Sequence, residues 1–221
     1  MRLQSVSIKW LTCAALTLIA GGSQAALTVF TSQASFLAAV SSPGVDTFND
    51  ISITTFTPSP LSRVAGPYTY TAAANTGFLG SGTAADHWLS TNTAADPITF
   101  SGFTGGVSAI GGNFFATDIS GAFLPGTISL TATDSFAATT TQNIVNAGIT
   151  SFLGFVSTGA LTSLVVSAVQ PGSTLVWPSV NNLTLAQAVS APIPEPETYA
   201  MMLAGLGLIG FVARRRKPNT I

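Results

Sequence analysis

Thr127-Ile128-Ser129-Leu130-Thr131-Ala132-Thr133 decides how this 221-residue chain folds. In an extended strand Ile128, Leu130 and Ala132 fall on one side and four hydroxyl residues on the other, the period of two that a half-buried β-strand requires. The same texture continues in both directions. Short β-type runs are predicted at 27–30, 68–72, 98–103, 107–110, 113–117, 152–156, 161–169, 174–177 and 183–186, separated by Gly, Pro, Asn and Asp turns. Helical spacing is confined to 32–40, where Thr31 or Ser32 can cap and Phe36, Leu37 and Val40 share a face. No periodic repeat is visible. Many short strands with frequent turns predict an all-β body, an antiparallel β-sandwich of jelly-roll type with one short helix near its start.

Both ends differ from this body. Arg2 and Lys9 precede an apolar run from Trp10 to Ala20 and then Gly21-Gly22-Ser23-Gln24-Ala25, the layout of a secretory signal peptide cleaved between Ala25 and Ala26. Cys13, the single cysteine, has no small-residue lipobox before it and leaves with that segment, so the mature chain has no disulfide. At the other end stand Pro194-Glu195-Pro196, an uncharged run at 199–213, and Arg214-Arg215-Arg216-Lys217. At about 1.5 Å per residue that run reaches only ~22 Å into a hydrocarbon core of ~30 Å, a short span. The basic cluster stops translocation and holds the C-terminus in the cytoplasm. The expected organisation is a signal helix at 1–25, a sandwich domain at 26–190, a Pro-rich linker at 191–198, a transmembrane helix at 199–213 and a basic cytoplasmic tail at 214–221.

From about Ala191 to Lys217 the chain resembles the PEP-CTERM sorting tails of exported bacterial proteins, in motif, spacing, apolar span and terminal charge. The resemblance implies that Pro194, Glu195 and Pro196 are read by an exosortase, an integral-membrane protease, with Arg214, Arg215, Arg216 and Lys217 as the basic stop. The plainer alternative is a C-terminal anchor that stays in place. Gly205-Leu206-Gly207-Leu208-Ile209-Gly210 has dinucleotide-binding spacing, but no α/β unit and no acid follow it, so it is read as small-residue helix packing. The body resembles jelly-roll, galactose-binding-like or lectin-like domains at Phe30 to Val40, Ile110 to Phe114, Phe152 to Leu164 and Val180 to Leu185, with Asn181 where such domains often carry an acid or amide.

The formal charge of −1 hides its distribution. Between the two ends lie Arg63 alone and six aspartates, a balance of one positive against six negatives, or −5. A surface this poor in cations does not attract nucleic acid. His87 is the only imidazole available to a nucleophilic mechanism, and no G-x-S-x-G elbow accompanies it. A glycosidase needs two carboxylates at a defined separation, which six scattered aspartates leave open. Asp46, Asn49 and Asp50 form the closest oxygen-rich group, and calcium is the one cofactor these residue types suit. Tyr68, Tyr70 and Trp88 are the rings expected to offer faces to sugars, while Trp177, inside an apolar run, reads as core. Asn182-Leu183-Thr184 is a glycosylation sequon by pattern.

These observations predict a non-enzymatic exported protein that passes through the secretion machinery, pauses in the cytoplasmic membrane, loses its tail and reaches the cell surface or an exopolysaccharide matrix. Its body is expected to be adhesive, carbohydrate-binding or structural. The rival expectations are a secreted carbohydrate-active hydrolase and a calcium-stabilised adhesin.

Overall fold

A computed structural model describes residues 27–172, 174–189 and 196–215. The signal peptide with its Ala25/Ala26 cleavage site, Pro194, Glu195, Arg216 and Lys217 lie outside the described residues.

In chain order the elements are β1 (Leu27–Phe30), α1 (Gln33–Ala38), β2 (Val40–Asp46), β3 (Phe56–Thr57), β4 (Leu61–Ala65), β5 (Tyr68–Ala73), β6 (Phe78–Thr83), β7 (Asp86–Thr91), β8 (Ile98–Ser101), β9 (Ala109–Thr117), β10 (Phe123–Leu124), β11 (Gly126–Asp134), β12 (Thr139–Ala147), β13 (Phe152–Ser157), β14 (Leu161–Val169), β15 (Trp177–Ala188) and α2 (Pro196–Arg215). The strands form two antiparallel sheets. One runs β1-β13-β9-β15-β7-β6-β3, with β10 beside β9 and β2 beside β15; the other runs β12-β11-β14-β8-β5-β4. The expected antiparallel sandwich is therefore the observed one, and the chain passes repeatedly from sheet to sheet.

The alternation that opens the sequence reading accounts for the packing. Ile128, Leu130 and Ala132 are fully buried on β11, against Phe100, Leu164 and Val166 of their own sheet and Phe114, Val180 and Leu89 of the other. Ser32 caps α1, accepting a hydrogen bond from Ser35 N at 3.5 Å, and Phe36 on that helix enters a small satellite core with Val40, Ala109 and Ala186. Gly154 makes this docking possible, since a Cβ there would lie 2.5 Å from the Phe36 ring.

β15 holds the nine-stranded sheet together. It pairs with β9 along most of its length, with β7 at Ser179 and Val180, and with β2 from Leu183 to Ala188. A bulge between Asn181 and Thr184, with Asn182 at φ 51°, lets the two halves serve different neighbours. Of the run predicted at 174–177 only Trp177 is in a strand, and it opens the same strand that contains the run predicted at 183–186.

The predicted apolar segment 199–213 lies within α2. Among the described residues no helix is long and apolar enough to cross a membrane.

Candidate functional site

The body's single cation is enclosed by the residues read as calcium ligands. Arg63, on β4, donates from Nε to Asp46 Oδ2 at 2.9 Å and from Nη2 to Asp46 Oδ1 at 2.6 Å, and it also bonds both oxygens of Asp50 at 2.6 and 2.7 Å. Tyr70 OH donates to Asp46 Oδ2 at 2.6 Å, Phe48 N donates to Asp46 Oδ1 at 2.9 Å, and the Phe48 ring lies 5.3 Å from the guanidinium. The Arg63 hydrogen bonds hold the Asp50 carboxyl below the ordinary carboxylate range. Burial pushes the Tyr70 phenol well above its usual range, reinforced by the charge of Asp46. Asn49 faces elsewhere, accepting the His87 backbone N–H at 2.9 Å. The expected calcium group is thus corrected: its two carboxylates are already neutralised by a guanidinium, a cation with matching fork geometry.

The three rings expected to stack on sugars are corrected as well. Tyr68, Tyr70 and Trp88 are 2, 2 and 4 % exposed, and stacking on a sugar needs an open ring face. Tyr68 OH donates to Ser42 O at 2.9 Å, while Trp88 packs edge-on against Phe115 at 5.2 Å. These rings read as surface platforms because they neighbour polar residues in sequence, but β5 turns the two tyrosines inward, and Trp88, on the same face of β7 as Ser90, is covered where it packs on Phe115.

His87 Nδ1 donates to the Ile51 carbonyl at 2.8 Å, so the proton resides on that nitrogen, and neighbouring Asp86 accepts from Asn181 Nδ2 at 3.0 Å instead of orienting the imidazole. Asn181 lies inside β15, not at its start. The sequon is engaged: Asn182 Nδ2 donates to Asn113 Oδ1 at 3.2 Å, and Thr184 is only 2 % exposed. Asp96 and Asp134 are turn anchors; Asp134 accepts Phe136 N, Ala138 N and Ser157 Oγ.

Two of the open surfaces among the described residues bear on ligand binding. The outer face of the six-stranded sheet carries an uninterrupted hydroxyl row, Thr139-Thr133-Ser163-Ser101-Thr71-Ser62, one residue from each strand in direct register. Neighbouring strands are about 4.8 Å apart, so the row extends roughly 24 Å. The second surface is a cleft of about 320 Å³ on the outer side of the nine-stranded sheet, walled by Leu79, Ser81, Asn92, Asp118, Ile119 and Trp177. Register places Leu79, Ser81, Ser90 and Trp177 on one face, opposite core-facing Leu89 and Val180. Trp177 is half-buried, which corrects the expectation of a core residue. The sign available in the sequence was the period-two partnership of Trp177 with Ser179, a polar residue on the same side.

Asp118 shapes the cleft's far wall. Its Oδ1 accepts Ser120 N at 2.8 Å, Ser120 Oγ at 2.6 Å and Ala122 N at 3.0 Å, which closes the β9–β10 turn. The Ser120 hydroxyl leads in holding this carboxyl below its ordinary range. Gly121, at φ 77°, seats the turn on β6, since a Cβ there would come within 2.9 Å of Ser81 Oγ.

The C-terminal helix offers apolar side chains on every side. Met202, Leu203, Leu206, Leu208, Ile209, Phe211 and Val212 are all 45 to 68 % exposed. Nothing lies within 4 Å of where a Cβ would stand on Gly205, Gly207 or Gly210. In comparisons with known proteins, residues 192–217 match the PEP-CTERM protein-sorting motif. Neither a curated protein nor a solved structure matches the chain. The motif supports an exported protein processed by an exosortase, a membrane protein, with surface or membrane-anchored transit.

Proposed function

We propose that the tail holds the exported chain at the cytoplasmic membrane, with the apolar stretch of α2 in the bilayer and Arg214, Arg215, Arg216 and Lys217 retained inside, until the exosortase cuts near Pro194-Glu195-Pro196. The body then reaches the cell surface or the surrounding polysaccharide as a non-enzymatic adhesive module. The observation that carries the sorting half is the motif match at 192–217 on a helix whose apolar side chains stand open to their surroundings. Mass spectrometry of the protein from its own host tests it: the expected product ends near Pro194–Pro196, whereas an intact tail on every molecule overturns it. In a strain deleted for the exosortase the tail is expected to persist.

For the body, the supporting observation is an uncharged hydroxyl surface. A neutral polysaccharide exchanges hydrogen bonds with Ser and Thr without an electrostatic desolvation cost, and a flat row spanning six strands meets an extended chain at many points at once. Among the described residues the hydroxyls of Ser62, Thr71, Ser101 and Ser163 have no protein hydrogen-bond partner, in contrast to the paired Thr133 and Thr139 at 3.3 Å. No reaction is assigned to the body, because its imidazole is committed to Ile51 and the open cleft is lined by one carboxylate, Asp118, where glycoside hydrolysis calls for two. Retention of the protein on the host's insoluble polysaccharide, measured by sedimentation, is the expected result; failure to sediment overturns this half.

A further inference from the structure

We propose that the cleft between the β9–β10 turn and β6–β7 binds a short neutral glycan, with Trp177 as the stacking face and Asp118 and Asn92 as hydroxyl partners. This assignment deepens the carbohydrate reading of the body and rests on it. A cavity of about 320 Å³ lies at the small end of ligand sites, roughly 300–1,000 Å³, which suits about one or two sugar rings.

The chemistry of the walls selects the class. Pyranose rings have an apolar C–H face and a rim of hydroxyls, so a site for them pairs an open aromatic face with short polar groups. Trp177 is the tryptophan of the folded body that is not buried; Trp88 is 4 % exposed and packed against Phe115. Ile119, 86 % exposed at the rim, and Leu79 extend the apolar side. On the polar side, three donors converge on Asp118 Oδ1, which leaves Oδ2 as an acceptor for a ligand hydroxyl. Asn92 is exposed and supplies both a donor and an acceptor. Ser90, 1 % exposed, donates from Oγ to Pro178 O at 3.1 Å and closes the cleft floor. Among the described residues no basic side chain lines the cleft while Asp118 is ionised, so phosphate, sulfate and uronate groups are repelled and uncharged sugars are admitted.

The wall is also built to hold its shape. Asp118 fixes the turn through Ser120 and Ala122, Gly121 anchors it on Ser81, and Thr117 Oγ1 bonds Ser179 Oγ at 3.0 Å beneath Trp177. A preorganised wall lowers the ordering cost of binding a small, polar ligand.

The test uses the full chain in detergent micelles. Wild type, Trp177→Ala, Asp118→Asn and Asn92→Ala are titrated with a panel of neutral mono- and disaccharides by intrinsic tryptophan fluorescence and calorimetry. A fourth variant, Ile149→Ser, alters an exposed turn residue outside both the cleft and the hydroxyl row. Wild type is expected to bind at least one panel sugar saturably, with affinity reduced tenfold or more in Trp177→Ala and Asp118→Asn, a smaller loss in exposed Asn92→Ala and none in Ile149→Ser. Asn92→Ala removes no packed side chain, so it reports on the cleft even where Trp177→Ala fails to fold. Sugar binding that survives all three cleft substitutions, or no binding by any panel sugar, overturns the assignment. Sedimentation of the same variants with host polysaccharide separates the two readings: wild type and cleft variants sedimenting alike overturns the cleft and leaves the adhesive body standing, whereas wild type failing to sediment overturns the adhesive reading.

Discussion

Arg63 does more for this body than any other single side chain, since it is the only cation between residues 26 and 190 and its side chain is 10 % exposed. Removing it leaves Asp46, 5 % exposed, with an uncompensated charge and only Tyr70 and a backbone N–H to stabilise it. Arg63→Met is therefore expected to cost about 3–5 kcal/mol, read as a lowered midpoint in urea unfolding; a loss below about 1 kcal/mol would show that the cluster is ornamental. The sequence gathers Asp46, Asn49 and Asp50 correctly but does not reveal their partner, because Arg63 lies 17 residues beyond Asp46 and meets it only through the packing of β4 beside β2. Acid acts on the same chemistry. Asp50 and Asp134 have carboxyls held below the ordinary range when folded, Asp50 by Arg63 and Asp134, against its burial, by Ser157 and two backbone N–H groups. In the unfolded chain they return to about 3.9. Their stabilisation is complete above that value and is lost as pH falls below it toward the folded values. Thermal midpoints are expected to be flat from about pH 7 to 5 and to fall below about pH 4; the Asp134→Asn variant is expected to show a shallower acid decline.

At the scale of elements, legibility followed the two-fold pattern and failed where backbone contacts override it. β11, β14 and β1 were plain from apolar alternation, and α1 from its cap and Phe36. β2 was not, because Ser42-Pro43-Gly44 has the composition of a turn. That segment is a strand because Gly44 lies against the backbone of Ala65 and Gly66, where the two sheets come together, and a bulge between Leu185 and Gln187 absorbs the irregular residues around Pro43. β12 was missed for a different reason. Its Thr139-Thr140-Thr141-Gln142-Asn143 start is polar on both faces, and its place comes from pairing with β11, including Thr131 Oγ1 to Thr141 Oγ1 at 2.9 Å. The seam at Gly44 gives a sharp expectation. A methyl there meets backbone on the facing sheet, which cannot rotate aside, so Gly44→Ala is expected to destabilise by about 3 kcal/mol, the upper end of overpacking costs. Gly172→Ala, with open space around its Cβ position, is the control for substitution outside a seam and is expected to show only the strain of its φ of 90°.

The molecule as a whole pairs a body that keeps a large apolar cluster enclosed with a helix whose described apolar side chains are exposed. Phe114, Phe115, Phe155 and Leu185 are fully buried in the sandwich, while Leu206, Leu208 and Ile209 on α2 are 60, 66 and 68 % exposed. Signals of composition made this division readable in advance: a body with one cation and many hydroxyls, and a tail in which apolar residues and arginines are segregated. The position of the binding surfaces was not readable, because whether a tryptophan faces the core or a cleft depends on which strand face the sheet turns outward. An apolar helix exposed on all sides associates in water, by the same effect that stabilises the sandwich. Removing residues 191–221 is expected to leave the unfolding midpoint of the body within about 1 °C of the detergent-solubilised full chain, since among the described residues the sandwich core contains none from α2. Light scattering should then find the shortened chain monodisperse without detergent and the full chain associated. Were the full chain equally monodisperse, or the shortened body several degrees less stable, the helix would be a packed part of the fold, and a tail that must be released from the body before an exosortase reads it would no longer follow from the architecture.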